Sequence, residues 1–221
     1  MLLLALCGPA AASGHPKRLP VIMPPGAKIG TISIVGAGVA KTQFLEGPWS
    51  QDGNGECTSE MYSSPTTYLT QLDHGPGHYP CNALPWQDGT VLLSGHRVTH
   101  STPFDNLGNV RLGEIVRLNT IHGIYLYRVV RPPRGHHYIT NGYGARTAPC
   151  IYRNACGVLE MPPEGADKFV SFWMVGWIFR WHFDNQHRLI LLACNPKHDL
   201  THRIAVFAKR VKVILPAARK R

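Results

Sequence analysis

Apolar and polar positions along this chain alternate in short runs broken by turn residues, with few stretches at helical spacing. The runs KIGTISIVG, GTVLLSGHRV, GEIVRLNTIHGIYLYRVVR, HRLILLAC and RIAVFAKRVKV are rich in β-branched and aromatic residues and read as strands. IYLYRVV alternates in part, as a half-buried strand does, whereas LILLAC is continuously apolar and reads as a strand covered on both faces. Five or more strands in one domain predict an all-β fold, either a closed barrel or a sandwich. Two polar stretches interrupt the pattern. Residues 47–66 are Gly/Ser-rich and read as a surface loop. Residues 142–168 form a second long connection, and the apolar FVSFWMVGWIFRW follows at 169–181. That run is too short to span a bilayer and contains Arg180, so it reads as a core strand or packed helix.

At 221 residues the chain suits one domain with short appendages. The expected division is an N-terminal export or anchor remnant and linker at 1–26, a barrel at 27–215 and a basic tail at 216–221. MLLLALCGPAAASGHPKRLP looks like the later part of an export segment without its basic front; the alternative is an untidy N-terminus. The formal charge of +10 favours an anionic neighbour, be it nucleic acid, lipid headgroups or an acidic wall polymer. Outside the tail the charge is scattered, as on a solvated basic surface. In an exported chain, Cys57 with Cys81 and Cys150 with Cys156 are candidate disulfides. No C-x-x-C spacing occurs and the histidines are spread along the chain, so no metal cluster is expected.

Three residues stand out chemically. Cys194 ends an apolar strand just before Asn195-Pro196, where pairing stops and a thiol can face a cleft. Arg203 opens the next strand, and a guanidinium there can donate to a carbonyl oxygen. His96 follows Gly95 at the end of another apolar strand. Taken singly, each has an ordinary structural reading: an inert buried thiol, a surface arginine and a satisfied histidine. His100 lies four residues beyond His96, but in an extended segment the two need not converge.

Together these residues carry a family resemblance. GPGHYPCNALPWQDGTVLLSGHRVTHSTPFDNLGNVRLGEIVRLNT resembles the first half of a sortase catalytic domain, closest to class E of actinobacteria. Its Gly-Pro-Gly-His-Tyr-Pro stretch leads to a Gly-His-Arg strand, then to Pro-Phe and a Gly-Glu-x-Val turn. LILLACNPKHDLTHRIAVFAKRV resembles the sortase cysteine strand, with Cys-x-Pro and an arginine nine residues on, and AKIGTISIVGAGVAKTQFLEG is similar to the opening strands. The resemblance covers roughly residues 27 to 213. It implies a closed β-barrel of about eight strands with short helices and long inserted loops. The implied activity is a cysteine transpeptidase at the extracellular face of the cell membrane, associated through its N-terminal segment.

On that resemblance Cys194 is the nucleophile that cleaves an LPXTG-like or LAXTG-like sorting signal between Thr and Gly, His96 the general acid and base, and Arg203 the substrate-orienting or oxyanion group. Leu192, Ala193, Asn195 and His100 are the expected substrate-binding positions. The implied partners are secreted proteins bearing the signal and a peptidoglycan precursor, a lipid II-like amine, with no nucleic acid. No cofactor or metal is implied, and the calcium that modulates some relatives has no identified site. The family's Thr-Leu-x-Thr before the cysteine is here Ile190-Leu191-Leu192-Ala193, without the adjacent hydroxyl, and His100 stands where class E has tyrosine. Residues 142–181 lengthen the connection between His96 and Cys194, as a lid or as a tolerated insertion. Two other readings compete: a catalytically impaired barrel that binds peptide or wall polymer, and a basic nucleic-acid-binding barrel.

Overall fold

The computed structural model describes residues 22–51, 53, 57–59, 72–131, 158–161, 187–195 and 202–217, with the backbone alone at 57–59, 158–161, 195, 202 and 203. The expected N-terminal remnant up to residue 21, the tryptophan-rich run at 169–181 and most of the long connection around it lie outside the described residues.

The chain enters through β1 (Lys28–Ile34) and β2 (Val39–Glu46), an antiparallel pair joined by a tight turn. Two residues, β5 (Gly77–His78), pair parallel to the end of β2 and antiparallel to β6 (Thr90–Ser94). The hairpin β7 (Ile115–Thr120) and β8 (Gly123–Val129) attaches to β1 through β7. β10 (Arg188–Asn195) runs parallel to β6 and antiparallel to β11 (His202–Ile214), and β11 then pairs with β8. The order β10-β6-β5-β2-β1-β7-β8-β11 thus returns to β10, and eight strands close into a barrel.

β9 (Val158–Met161) pairs with the start of β11 on the edge that β8 serves further along. Helical content among the described residues is a short 3-10 turn, Leu107–Asn109, and the single helical residue Leu72 at the start of a described span. Two sequence expectations need correction. The polar stretch at 47–66 contains a small antiparallel pair, β3 (Trp49–Gln51) with β4 (Cys57–Ser59). The connection at 142–168 contains β9. Both are strands of three or four residues held by their partners, so neither has enough length to show a period-2 pattern.

Alternate residues of the strands fill the barrel. Ile32, Ile34, Phe44, Val91, Leu93, Val116, Leu118, Leu189, Leu191, Ile204 and Val206 belong to one interior cluster. On the opposite face of the same strands Leu92, Ile190, Leu192, Ala205 and Phe207 are also buried, outside that cluster. LILLAC is therefore covered on both faces, as its unbroken apolar run predicts.

The two-residue strand β5 owes its place to a polar anchor. His78 and Glu46 sit opposite each other in the β2–β5 register, each 1% exposed, with Nδ1 and Oε1 2.9 Å apart. His78 Nε2 lies 3.1 Å from the Ala83 carbonyl, which accepts its proton. Both nitrogens of a buried ring are thereby satisfied, which gives the histidine of Gly-Pro-Gly-His-Tyr-Pro a structural role. Glu46→Gln keeps an acceptor but removes the charge, and is expected to lower unfolding stability by about 1–2 kcal/mol. A shift in the urea midpoint at unchanged slope is the measurement that checks it.

Candidate active site

Barrel closure brings three chain segments to one end. β6 and β10 are parallel, with Leu92 opposite Ile190 and Ser94 opposite Leu192. Gly95 N–H continues the ladder by donating to the Leu192 carbonyl at 3.0 Å. Carried two residues further, this register sets His96 level with Cys194. On the other side of β10, Cys194 is paired with Arg203 in the antiparallel ladder to β11. Cys194 and Arg203 are thus ladder partners, and His96 lies two residues past Ser94, the last residue of β6, although it stands 98 positions before Cys194 along the chain.

Alternation fixes the face. Leu191 and Ala193 point into the interior cluster, so Cys194 stands on the outer face, half-buried and with a free thiol. Arg203 is the residue directly opposite in the ladder. Its side chain lies outside the described residues, as does that of Asn195, which pairs with His202. Leu192 is on the outer face but only 4% exposed. Ala193 belongs to the interior cluster at 5% exposure. As a substrate-binding side chain Ala193 is therefore a correction: the period-2 pleat turns it away from the face that carries Cys194.

The Gly-His-Arg segment is built for close approach. A Cβ at Gly95 would lie 2.6 Å from Phe104 Cδ2, so only glycine lets the Phe104 ring pack against the strand end. Phe104 N–H donates to the His96 carbonyl at 3.0 Å, which ties the returning loop to the histidine's own backbone. Arg97, 4% exposed, turns inward. Its Nη1 donates to the Cys194 carbonyl at 3.2 Å and its Nε to the Asp105 carbonyl at 3.3 Å. One guanidinium thus joins the His96 loop to the peptide unit of Cys194. Sequence reading passed over Arg97 because an arginine inside a strand-end motif looks like an ordinary surface charge; its neighbours Gly95 and Phe104 were the signal that this segment is packed.

His100 does converge on His96. The segment between them is not extended: residues 97–99 form bends and His100 itself has φ +55°, a left-handed value. The two rings lie with centroids 4.9 Å apart at 36°. His100 Nδ1 is 2.8 Å from Asp73 Oδ1, both groups being partly exposed. Burial pushes the His96 imidazole below its ordinary value, His100 adds to the depression, and the Asp73 carboxylate opposes it. The expectation that spread histidines leave no metal-capable group is changed by this loop, since Asp73, His96 and His100 place one donor atom each within 4.8 Å of one another.

Cys81 is disulfide-bonded. The side chains of Cys57, Cys150 and Cys156 lie outside the described residues, and with them the expected pairing. Among the described residues no helix is long and apolar enough to cross a membrane.

Comparison with known proteins agrees with this architecture. Residues 58–211 match the model of the Sortase domain. A stretch of 65 residues is 34% identical to Sortase D of Bacillus subtilis (strain 168), covering 29% of this chain and 31% of that protein, so the match spans less than a third of the curated relative. SrtF sortase from Corynebacterium diphtheriae superposes with a TM-score of 0.59 at 19% identity over 96% of each chain. SrtA sortase from Actinomyces oris does so with a TM-score of 0.54 at 16% identity, over 90% of this chain and 89% of that one. At such identities the structural likeness speaks for the fold, a closed sortase barrel.

Proposed function

Because this chain belongs to the sortase family, we propose that it is a cysteine transpeptidase, with class E as its affinity and Cys194, His96 and Arg203 as its catalytic residues. The observation that carries this reading is the register: a free thiol flanked on one side by the Arg203 ladder position and on the other by the strand that ends in His96.

In the first step the Cys194 thiolate attacks the carbonyl between Thr and Gly of an LPXTG-like or LAXTG-like signal. The tetrahedral oxyanion is the group that Arg203 would stabilise. Collapse expels the glycine amine, which takes a proton from the His96 imidazolium, and leaves a thioester on Cys194. In the second step an amine of a peptidoglycan precursor attacks the thioester, His96 takes back a proton, and the thiolate departs. The product is a secreted protein joined to the wall through a new amide bond. Burial holds the His96 imidazole below its ordinary value, so the imidazolium that the leaving amine needs is scarce at neutral pH and slow turnover belongs to this reading.

The implied setting is the outer face of a cell membrane, where a disulfide such as that of Cys81 persists. The test is incubation of the intact chain with a library of sorting-signal peptides and mass analysis of the protein. A thioester adduct on Cys194 with release of a glycine-led fragment is expected. No adduct and no fragment from any LPXTG-like or LAXTG-like peptide would favour a barrel that only docks peptide or wall polymer.

A further inference from the structure

Asp73 and His100 stand beside His96, and the two transfer steps give neither of them a role. Asp73 stands in a turn closed by the Gly75 N–H to Leu72 carbonyl bond, and Ser101 Oγ lies 3.5 Å from that same carbonyl, so the turn sits against the 99–102 loop. Two non-glycine residues with left-handed backbone, His100 and Thr102, lie in this bent loop. The bend lays one imidazole beside the other without a hydrogen bond from His96 Nε2, which is buried and has no partner among the described residues. A carboxylate oxygen already faces His100 Nδ1 at 2.8 Å.

We propose that Asp73, His96 and His100 form a binding site for one divalent late transition metal ion, of the Zn²⁺ class, and that its occupation blocks transpeptidation by taking the general acid out of use. Two imidazoles and one carboxylate suit Zn²⁺ or Co²⁺ rather than Ca²⁺ or Mg²⁺, which take oxygen ligands. Asp73 Oδ1 and His100 Nδ1 stand 2.8 Å apart and the donor atoms of the three residues lie within 4.8 Å of one another, so adjustments of roughly 1 Å bring them around a common ion at about 2.0–2.2 Å. Small side-chain rotations of Asp73 and His100, both partly exposed, supply that movement. Three protein ligands leave a fourth position for water. An imidazole whose lone pair is held by a metal neither donates nor accepts the proton that the leaving and entering amines require.

The inhibitory half rests on the transpeptidase reading; the binding half does not. The binding test is calorimetric titration of ZnCl₂ into the Cys194→Ala chain, which removes the thiol as a competing ligand. One ion per chain is expected, with affinity reduced more than about tenfold by adding either Asp73→Asn or His100→Ala, the scale that loss of even an outer-shell partner reaches. Circular dichroism confirms that each variant is folded. Absence of Zn²⁺ binding by folded Cys194→Ala protein, or affinity that neither added substitution changes, overturns the site. The inhibition test uses the Cys194-containing chain, with peptide cleavage normalised for each variant to its own rate in EDTA. Zn²⁺ should inhibit, and Asp73→Asn should raise the inhibitory concentration by the same factor as it weakens binding. Inhibition unmoved by Asp73→Asn overturns the blocking role. Binding that responds as expected in a chain that cleaves no peptide upholds the metal site and removes the transpeptidase reading instead.

Discussion

Cys194→Ala is expected to abolish the thioester adduct and to cut peptide cleavage by a factor on the order of 10⁴ to 10⁶, the scale seen when a nucleophile is removed from an acyl-transfer site. The arrangement makes the effect separable from folding. Cys194 is half-buried on the outer face at the last turn of the β10 ladder, while its neighbours Leu191 and Ala193 carry the interior packing. Deleting one sulfur there should change stability by less than about 1 kcal/mol, since the expensive class of truncation is the buried cavity. Cleavage that survives in a folded Cys194→Ala chain would mean that another group performs the chemistry and that His96 and Arg203 flank an idle thiol. The companion measurement is protein mass after incubation with a sorting-signal peptide: the intact chain gains the acyl fragment, the variant does not.

Much of the barrel was legible because its long strands obey local rules. KIGTISI, IVRLNT with GIYLYRV, TVLLS, RLILLACN and HRIAVFAKRVKVI all form strands where β-branched and aromatic runs lie between turn residues. The unbroken apolar character of LILLAC also announced burial on both faces. What was not legible depends on partners distant in sequence. β5 is two residues long and exists because Glu46 and His78 meet in register. β9 is added to an edge of β11 already chosen by the barrel.

The site divides in the same way. Cys194 and Arg203 are neighbours because a short connection joins two antiparallel strands, which sequence shows. His96 reaches them through a parallel pairing of β6 with β10, and nothing local marks a parallel partner. The convergence of His100 on His96 involves bends at residues 97–99 and left-handed backbone at His100, which is not glycine, so the usual signature of such a bend was missing. The inward turn of Ala193 could have been derived by counting alternate residues back from Cys194.

Arg97 carries the second large expectation. Its buried guanidinium holds the Cys194 and Asp105 carbonyls at 3.2 and 3.3 Å, so Arg97→Met strands two acceptors in a place with little water. Hydrogen bonds to a charged donor contribute about 1.5–3 kcal/mol each, and methionine recovers part of the packing, so a stability loss of about 2–4 kcal/mol is expected. The effect on catalysis should exceed what instability explains. The Cys194 carbonyl is what Arg97 grips, and a displacement of the nucleophile by about 1 Å costs up to ~10²-fold in rate. Because the guanidinium is 4% exposed and grips the backbone of Cys194, the loss should fall on kcat, with KM little changed. Arg97→Lys separates the two contributions. An ammonium retains the charge but cannot span both carbonyls with a planar fork, so it should recover less of kcat than of stability. Urea denaturation and steady-state cleavage of one peptide by the three proteins read both quantities. An Arg97→Met chain with unchanged kcat would show that the position of the Cys194 peptide unit is set by the β10–β11 ladder alone, and that the grip from the His96 loop has no catalytic consequence.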